Sequence, residues 1–375
     1  MPPVVLLTGA GADDNTYNGP PWKVVLAVMQ EPFPELTFLL LNSSYASDET
    51  MPIFPDSFLG GSAPRLNFLV FSGIPFPGLP KLLLSATHLH ILHLLDIPHS
   101  GYISPDVMVT ALSTLTSLKS LWLVFRSPRS RPDLAGRRPP TPTRSVLPAL
   151  TEFRFKGVCE YLDDLVAHID APRLDVLSMT FFNDIVFDTP HFIQFINRTP
   201  TLKVLEKALV VFGGHSASVE LSHIHGHESF KMKIHCRELD WQVSFLEQAC
   251  SSCLPLLSIT EDVYMYEHPG SRLDSQDNIE STPWLELLHR FVNVNNLYLS
   301  KKFAPRIVPV LHELIQAGGR MTRVLSTLQN IFLQDLQSSG PVQEGVGRFV
   351  AARRLSGHTT TVSHWEGDLA SHELW

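Results

Sequence analysis

Apolar residues recur along this chain in the phrase Leu-x-x-Leu-x-Leu, and the last two positions of each copy share the two-residue period of a strand. Leu36, Leu39 and Leu41 form the first clear copy. Leu66, Leu69, Phe71 and then Leu89, Leu92, Leu94 follow, and after them Leu118, Leu121, Leu123. Leu150, Phe153, Phe155 and Leu174, Leu177, Met179 continue the series, and Leu202 with Leu205 starts a weaker copy. The phrase returns at Val294, Leu297, Leu299 and at Leu328, Ile331, Leu333. From Leu36 to Leu202 the first leucines lie 30, 23, 29, 32, 24 and 28 residues apart. That period, with insertions, is the one expected of leucine-rich repeats, about 20–29 residues each. One such unit cannot bury its own apolar face, whereas stacked copies can.

Between the strands lie helix signatures. Ser104-Pro105-Asp106 offers a cap and a first-turn proline ahead of Val109, Leu112 and Leu115. Residues 161–169 put Leu162, Leu165, Val166 and Ile169 on one face, stopped by Pro172. Thr189-Pro190 and Thr282-Pro283 open two more helices, and residues 22–29, 304–315 and 342–355 carry helical spacing. Residues 4–7 predict a short strand about one repeat before Leu36. The phrase lapses between 208 and 253. Strands are predicted there at 210–212, 218–221 and 230–234, then a helix at 241–250, with the solenoid continuing through degenerate units. The predicted fold is an α/β leucine-rich-repeat solenoid, with irregular repeats of about 23–34 residues forming one domain over 1–375. Two segments stand outside it. Residues 126–146 are rich in arginine and proline and predict a disordered loop insertion, or a basic docking patch. Residues 356–375 predict a flexible C-terminal tail.

Composition narrows the function. Hydrophobic residues make up 44% and charged residues 18%, enough for a large core. The formal charge of −8 offers no general attraction to nucleic acid or to an anionic membrane. Four cysteines, no basic and apolar leader, and no apolar run of about 18 residues predict a cytoplasmic or nuclear protein with neither nucleic-acid nor membrane partners. The glycosylation patterns at Asn42 and Asn197 are then chance matches.

Candidate chemistry finds little support. Gly9-Ala10-Gly11 after the first strand imitates a dinucleotide-binding turn, but Asp14 stands where a third glycine is needed and would repel a pyrophosphate. His223, His225 and His227 alternate, without a carboxylate or cysteine at tight spacing to complete a metal site. His88, His90 and His93 straddle a strand, and Cys250-x-x-Cys253 is half of a zinc pattern. Asp163 and Asp164 are adjacent on a helix and face apart, so they cannot act as a paired acid and base. No nucleophile elbow or phosphate loop occurs. No catalytic residue, metal or cofactor is expected, and a nucleotide-binding α/β enzyme is the least favoured reading.

Residues between the core leucines should point outward along a concave sheet. The slot before the last leucine holds Leu40, Val70, His93, Trp122, Arg154 and Ser178, and later Tyr264, Tyr298 and Phe332. Tryptophan, tyrosine and arginine are the types that carry interface energy. Trp122, Arg154, Tyr264, Tyr298 and Phe332 are therefore the candidate residues for binding a protein partner.

Longer phrases point to a family. Residues 147–153 (Leu-Pro-Ala-Leu-Thr-Glu-Phe) run on to 161–172, Tyr-Leu-Asp-Asp-Leu-Val-Ala-His-Ile-Asp-Ala-Pro. Phe187-Asp188-Thr189-Pro190, residues 236–241 (Cys-Arg-Glu-Leu-Asp-Trp) and residues 296–300 (Asn-Leu-Tyr-Leu-Ser) follow. These resemble the fungal F-box proteins with leucine-rich repeats, over most of residues 36–365. The resemblance implies repeats that choose a substrate, with an F-box joining them to a cullin-type ubiquitin ligase. No F-box pattern precedes the repeats, so that link requires an F-box supplied elsewhere; the alternative is a repeat scaffold with no ubiquitin role. The asparagine that many such repeats place after the third leucine is absent, its slots being held by Ser44, Ile74, Ile97, Arg126 and Phe182.

Overall fold

A computed structural model describes residues 4–8, 26–43, 53–132, 144–182, 189–203, 205–223, 228–252, 260–267, 281–316, 325–334 and 340–366. The chain divides into two compact units, Met1–Leu202 and Lys203–Trp375, where the sequence predicts one domain over 1–375. The boundary falls where the leucine phrase weakens.

In the first unit the phrases become strands in chain order. These are β1 (Val4–Thr8), β2 (Phe38–Asn42), β3 (Phe68–Ser72), β4 (Ile91–Ile97) and β5 (Ser120–Phe125). β6 (Ser145–Val146) pairs apart from them with β8 (Ile169–Asp170), while β7 (Glu152–Gly157) and β9 (Val176–Phe181) complete the main sheet. The order is β1-β2-β3-β4-β5-β7-β9, all parallel. Helices α1 (Leu79–Leu83), α2 (Pro105–Leu112), α3 (Cys159–Ala167) and α4 (Pro190–Arg198) lie between them.

The phrase has a backbone cause. The N–H of each first leucine donates to the carbonyl three residues earlier: Leu66 to Ala63, Leu89 to Ala86, Leu118 to Leu115, Leu174 to Ala171. This tight turn feeds the strand. One carbonyl per unit then accepts two N–H groups from the next. Asn67 O takes His90 and Ile91, His90 O takes Lys119 and Ser120, and Lys119 O takes Thr151 and Glu152. Stacking thus satisfies the backbone at the strand entrances, where an orphaned polar group would be costly.

Leu39, Leu69, Leu92, Leu121, Phe153 and Leu177 are all 0% exposed, whereas the alternate residues are mostly half-exposed. A doubly wound sheet buries both faces and shows continuous apolar runs; here, among the described residues, one side of each strand is sealed and the other is partly exposed. Aromatic rings extend that core: Phe125, Phe155 and Tyr161 pack together, and the Tyr161 hydroxyl donates to Ile103 O at 3.0 Å. Buried Asp163 accepts the Phe192 N–H at 2.9 Å, so a carboxylate from α3 caps α4, where the helix dipole favours negative charge.

The second unit contains β10 (Lys207–Phe212), β11 (Ser216–Ser222), β12 (Glu228–His235), β13 (Asp262–Glu267), β14 (Asn296–Leu299), β15 (Asn330–Leu333) and β16 (Thr361–His364). Its helices are α5 (Leu239–Ser252), α6 (Ser281–Leu288), α7 (Ala304–Gln316) and α8 (Pro341–Leu355). Strand order is β12-β11-β10-β13-β14-β15-β16. From β10 through β13 to β16 the pairing is parallel. The three strands predicted in the lapse do exist, but β10-β11 and β11-β12 are antiparallel, forming a meander rather than degenerate repeats. Gly213-Gly214 and the short spacing of the strands leave no room for the crossover that parallel pairing requires.

Parts of the predicted disordered loop and of the predicted flexible tail lie among the described residues. Arg126 N–H donates to Ile97 O, Ser130 is buried, Arg144 Nε donates to Ala167 O at 3.3 Å, and Ser145–Val146 is strand β6. The ends of 126–146 are therefore tied down, and residues 133–143 lie outside the described residues. Within 356–375, Thr361–His364 adds a strand to β15, and residues 367–375 lie outside the described residues. Residues 161–169 also divide differently: the helix ends at Ala167, and Ile169 begins β8. No helix among the described residues is long and apolar enough to cross a membrane.

Candidate recognition surfaces

Parallel register converts the outward slots into rows. In the first unit Leu40 pairs with Val70, Val70 with His93, His93 with Trp122, Trp122 with Arg154 and Arg154 with Ser178. Two rows flank this one. The first runs through Phe38, Phe68, Ile91, Ser120, Glu152 and Val176. The other includes Asn42, Ser72 and Leu95, and further along Val124, Lys156 and Thr180. Phe38 and Phe68 stack at 4.1 Å with their planes 8° apart.

Trp122 is held from both sides. His93 stacks on it at 4.1 Å, and the Arg154 guanidinium lies 4.4 Å from its ring centre. Such cation–π contacts contribute about 0.5–2 kcal/mol, depending on desolvation. Glu152 anchors the group: Arg154 Nε donates to Oε1 and Ser120 Oγ donates to Oε2, both at 2.7 Å. His93 Nε2 lies 2.9 Å from Ser120 Oγ. Because the Ser120 proton goes to Glu152, His93 is the neutral Nε2–H tautomer and donates to Ser120. The chain runs the wrong way for a nucleophilic serine, whose proton must pass to the imidazole.

Burial pushes the His93 pKa down to about 4, with Arg154 adding to the effect and Glu152 opposing it. Burial alone would raise Glu152, but hydrogen bonds from Ser120 and Arg154, with the guanidinium charge, hold it below its ordinary value. The Trp122 indole N–H adds to that pull, yet it is buried and meets no partner at hydrogen-bond geometry.

In the second unit Tyr264 pairs with Tyr298 and Tyr298 with Phe332. The rings stack at 4.0 and 4.4 Å, within 7° of parallel. Lys207 Nζ lies 4.5 Å from the Tyr264 ring centre. Burial, then the charge and hydrogen bond of Tyr298, raise the Tyr264 pKa well above the phenol range. Beside the rings runs a polar ladder. Asn296 Nδ2 donates to Asp262 Oδ1 at 2.6 Å, Asn330 Nδ2 to Asn296 Oδ1 at 2.7 Å, and Thr361 Oγ1 to Asn330 Oδ1 at 2.6 Å. Trp365 then lies edge-on to Tyr264 at 5.8 Å and to Tyr298 at 5.6 Å.

The fold thus brings Trp122 and Arg154 together on one unit, and Tyr264, Tyr298 and Phe332 on the other. Ser120, Glu152 and the asparagine ladder escaped the sequence reading, although aligning the phrase two columns earlier finds them. Trp365 carried no such signal, since β16 lacks the leucine phrase. Elsewhere, Cys159, Cys236 and Cys250 are buried; Cys253 lies outside the described residues, as do Gly9, Gly11, Asp14, His225 and His227. Among the described residues no group of three or more metal-ligating side chains occurs.

A scan of family models finds no match, and no curated protein matches the sequence. Among solved structures, the crystal structure of the leucine-rich repeat-containing protein LegL7 from Legionella pneumophila is 11% identical, covering 90% of this chain and 95% of that one at a TM-score of 0.32. That likeness is too slight to carry an argument.

Proposed function

We propose that this chain is a non-catalytic leucine-rich-repeat protein whose outward sheet faces bind protein partners. The observation that carries the reading is the register. It sets His93, Trp122 and Arg154 side by side in one unit and Tyr264, Tyr298 and Phe332 side by side in the other, on the partly exposed side of their strands. Stacking holds those side chains in place before any partner arrives, so little ordering entropy is lost on binding. A repeat solenoid with a concave parallel sheet is the architecture that fits the phrase and the register.

The finer form of the proposal is a substrate-recognition region of an F-box ubiquitin-ligase adaptor, resting on the sequence resemblance. Its rival is a repeat scaffold without a ubiquitin role. Affinity purification of the full chain from its own cells, followed by mass spectrometry, tests both. Cullin-type ligase subunits among the bound proteins support the adaptor, and partners without them support the scaffold. Alanine at Trp122, Arg154, Tyr264, Tyr298 and Phe332 together should weaken partner binding by at least about tenfold, since anchors of these types contribute about 2 kcal/mol or more each. Unchanged affinity in a variant with native circular dichroism would place the contact elsewhere.

A further inference from the structure

The outward face of the first unit is polarised. At the β2–β4 end its first two rows carry Phe38, Leu40, Phe68, Val70 and Ile91. At the β7–β9 end the same rows carry Glu152, Val176, Arg154 and Ser178, and the third row carries Lys156 and Thr180. Glu152 is the only acid in the aligned rows, and Arg154 neutralises it through Nε. The outer Nη groups of Arg154 have no other hydrogen bond among the described residues, and the side chain is 44% exposed. Trp122 beneath and Glu152 beside it fix the plane of the guanidinium. A fixed, outward fork of N–H groups matches the two oxygens of a carboxylate. Lys156 projects from the same face two residues on, about 6.5–7 Å away along the strand, and its ammonium lies 5.6 Å from the Phe182 ring centre without an ion pair among the described residues. The chain as a whole carries −8, so an acidic partner is repelled by most of the molecule and accepted here.

Resting on the proposed recognition role, we propose that this face binds an extended protein segment with apolar side chains at one end and a carboxylate side chain at the other, the carboxylate seated in the Arg154 fork with Lys156 beside it. From β2 to β7 is four strand spacings, about 19 Å, which about six extended residues span. The apolar end covers Phe38 and Phe68 and the acidic end lies over β7.

The test is selection of random displayed hexapeptides on the purified full-length chain, then calorimetric titration of the enriched peptides. Peptides carrying Asp or Glu at one end and large apolar residues at the other are expected. Replacing the acid by its amide should weaken binding about ten- to hundredfold, the worth of a hydrogen bond to a charged group. Arg154→Gln should do the same, Arg154→Lys should fall between, and the exposed Arg65→Gln should change nothing. Enriched peptides without an acid, no enrichment, or displacement by a uridine oligonucleotide overturns the inference. If Arg154→Gln leaves binding unchanged while Trp122→Ala abolishes it, the acidic anchor fails and the recognition face stands. If neither variant alters binding, the recognition face fails as well.

Discussion

Leu92 and Leu121 each sit between neighbours from other copies of the phrase, since Leu69 pairs with Leu92, Leu92 with Leu121 and Leu121 with Phe153, and Leu177 pairs with Phe153. All three are 0% exposed, so truncation to alanine opens a cavity that flanking repeats, fixed by their own hydrogen bonds, cannot collapse to fill. Each change should cost about 2–5 kcal/mol in chemical denaturation. His93 gives a second prediction. Its folded pKa of about 4 lies below the ordinary 6.5. As pH falls from 6.5 towards 4 the unfolded chain takes up a proton that the folded chain refuses, so stability is lost across that window and levels off below it. Glu152, held low, adds loss in the same direction as it protonates. His93→Gln should flatten the dependence between pH 6.5 and 4, by about 1–2 kcal/mol after allowance for solvent screening. A wild-type stability that stays level over that window contradicts the neutral, hydrogen-bonded imidazole.

At the scale of elements, β16 is the informative one. Its four residues are all exposed, yet it pairs in register with β15, and it delivers Trp365 to the tyrosine stack. Ser363 lies opposite Phe332, a small residue where the other strands hold rings, and Trp365 makes its ring contacts with Tyr264 and Tyr298 instead. Trp365→Ala should reduce the near-ultraviolet circular dichroism and destabilise by about 1–2 kcal/mol, through lost ring contacts and area. An unchanged spectrum would mean that the indole does not rest on the stack. On the covered side, Gly345 of α8 admits Val308 of α7 so closely that a Cβ would lie 2.1 Å from Val308 Cγ1. The alanine variant must turn the Val308 side chain or push those helices apart.

At the scale of the molecule, within each unit a strand pairs only with its immediate neighbours in the sheet, so stability should be graded rather than uniform. Hydrogen exchange should be slowest in β4, β5 and β7 of the first unit, where both edges are paired and the core leucines are sealed. It should be fastest in β16, which has one paired edge and no buried residue. Equal protection throughout would indicate one cooperative block.

The sequence by itself determined the strands, their core face and most helices, because a leucine every second residue in a strand, or a proline after a capping residue, acts within a few positions of itself. It also named the outward slots, since alternation along a strand is local. Tertiary structure alone decided what those slots do. Whether Arg154 meets Trp122 depends on pairing across 32 residues, and whether Trp365 reaches Tyr264 depends on contact across 101. The meander between β10 and β12 was likewise invisible, because strand direction is set by the partner's hydrogen bonds and not by the strand's own pattern. Residues 126–132 and 361–366 look like loops by composition, yet the backbone hydrogen bonds that hold them come from residues far away in the chain.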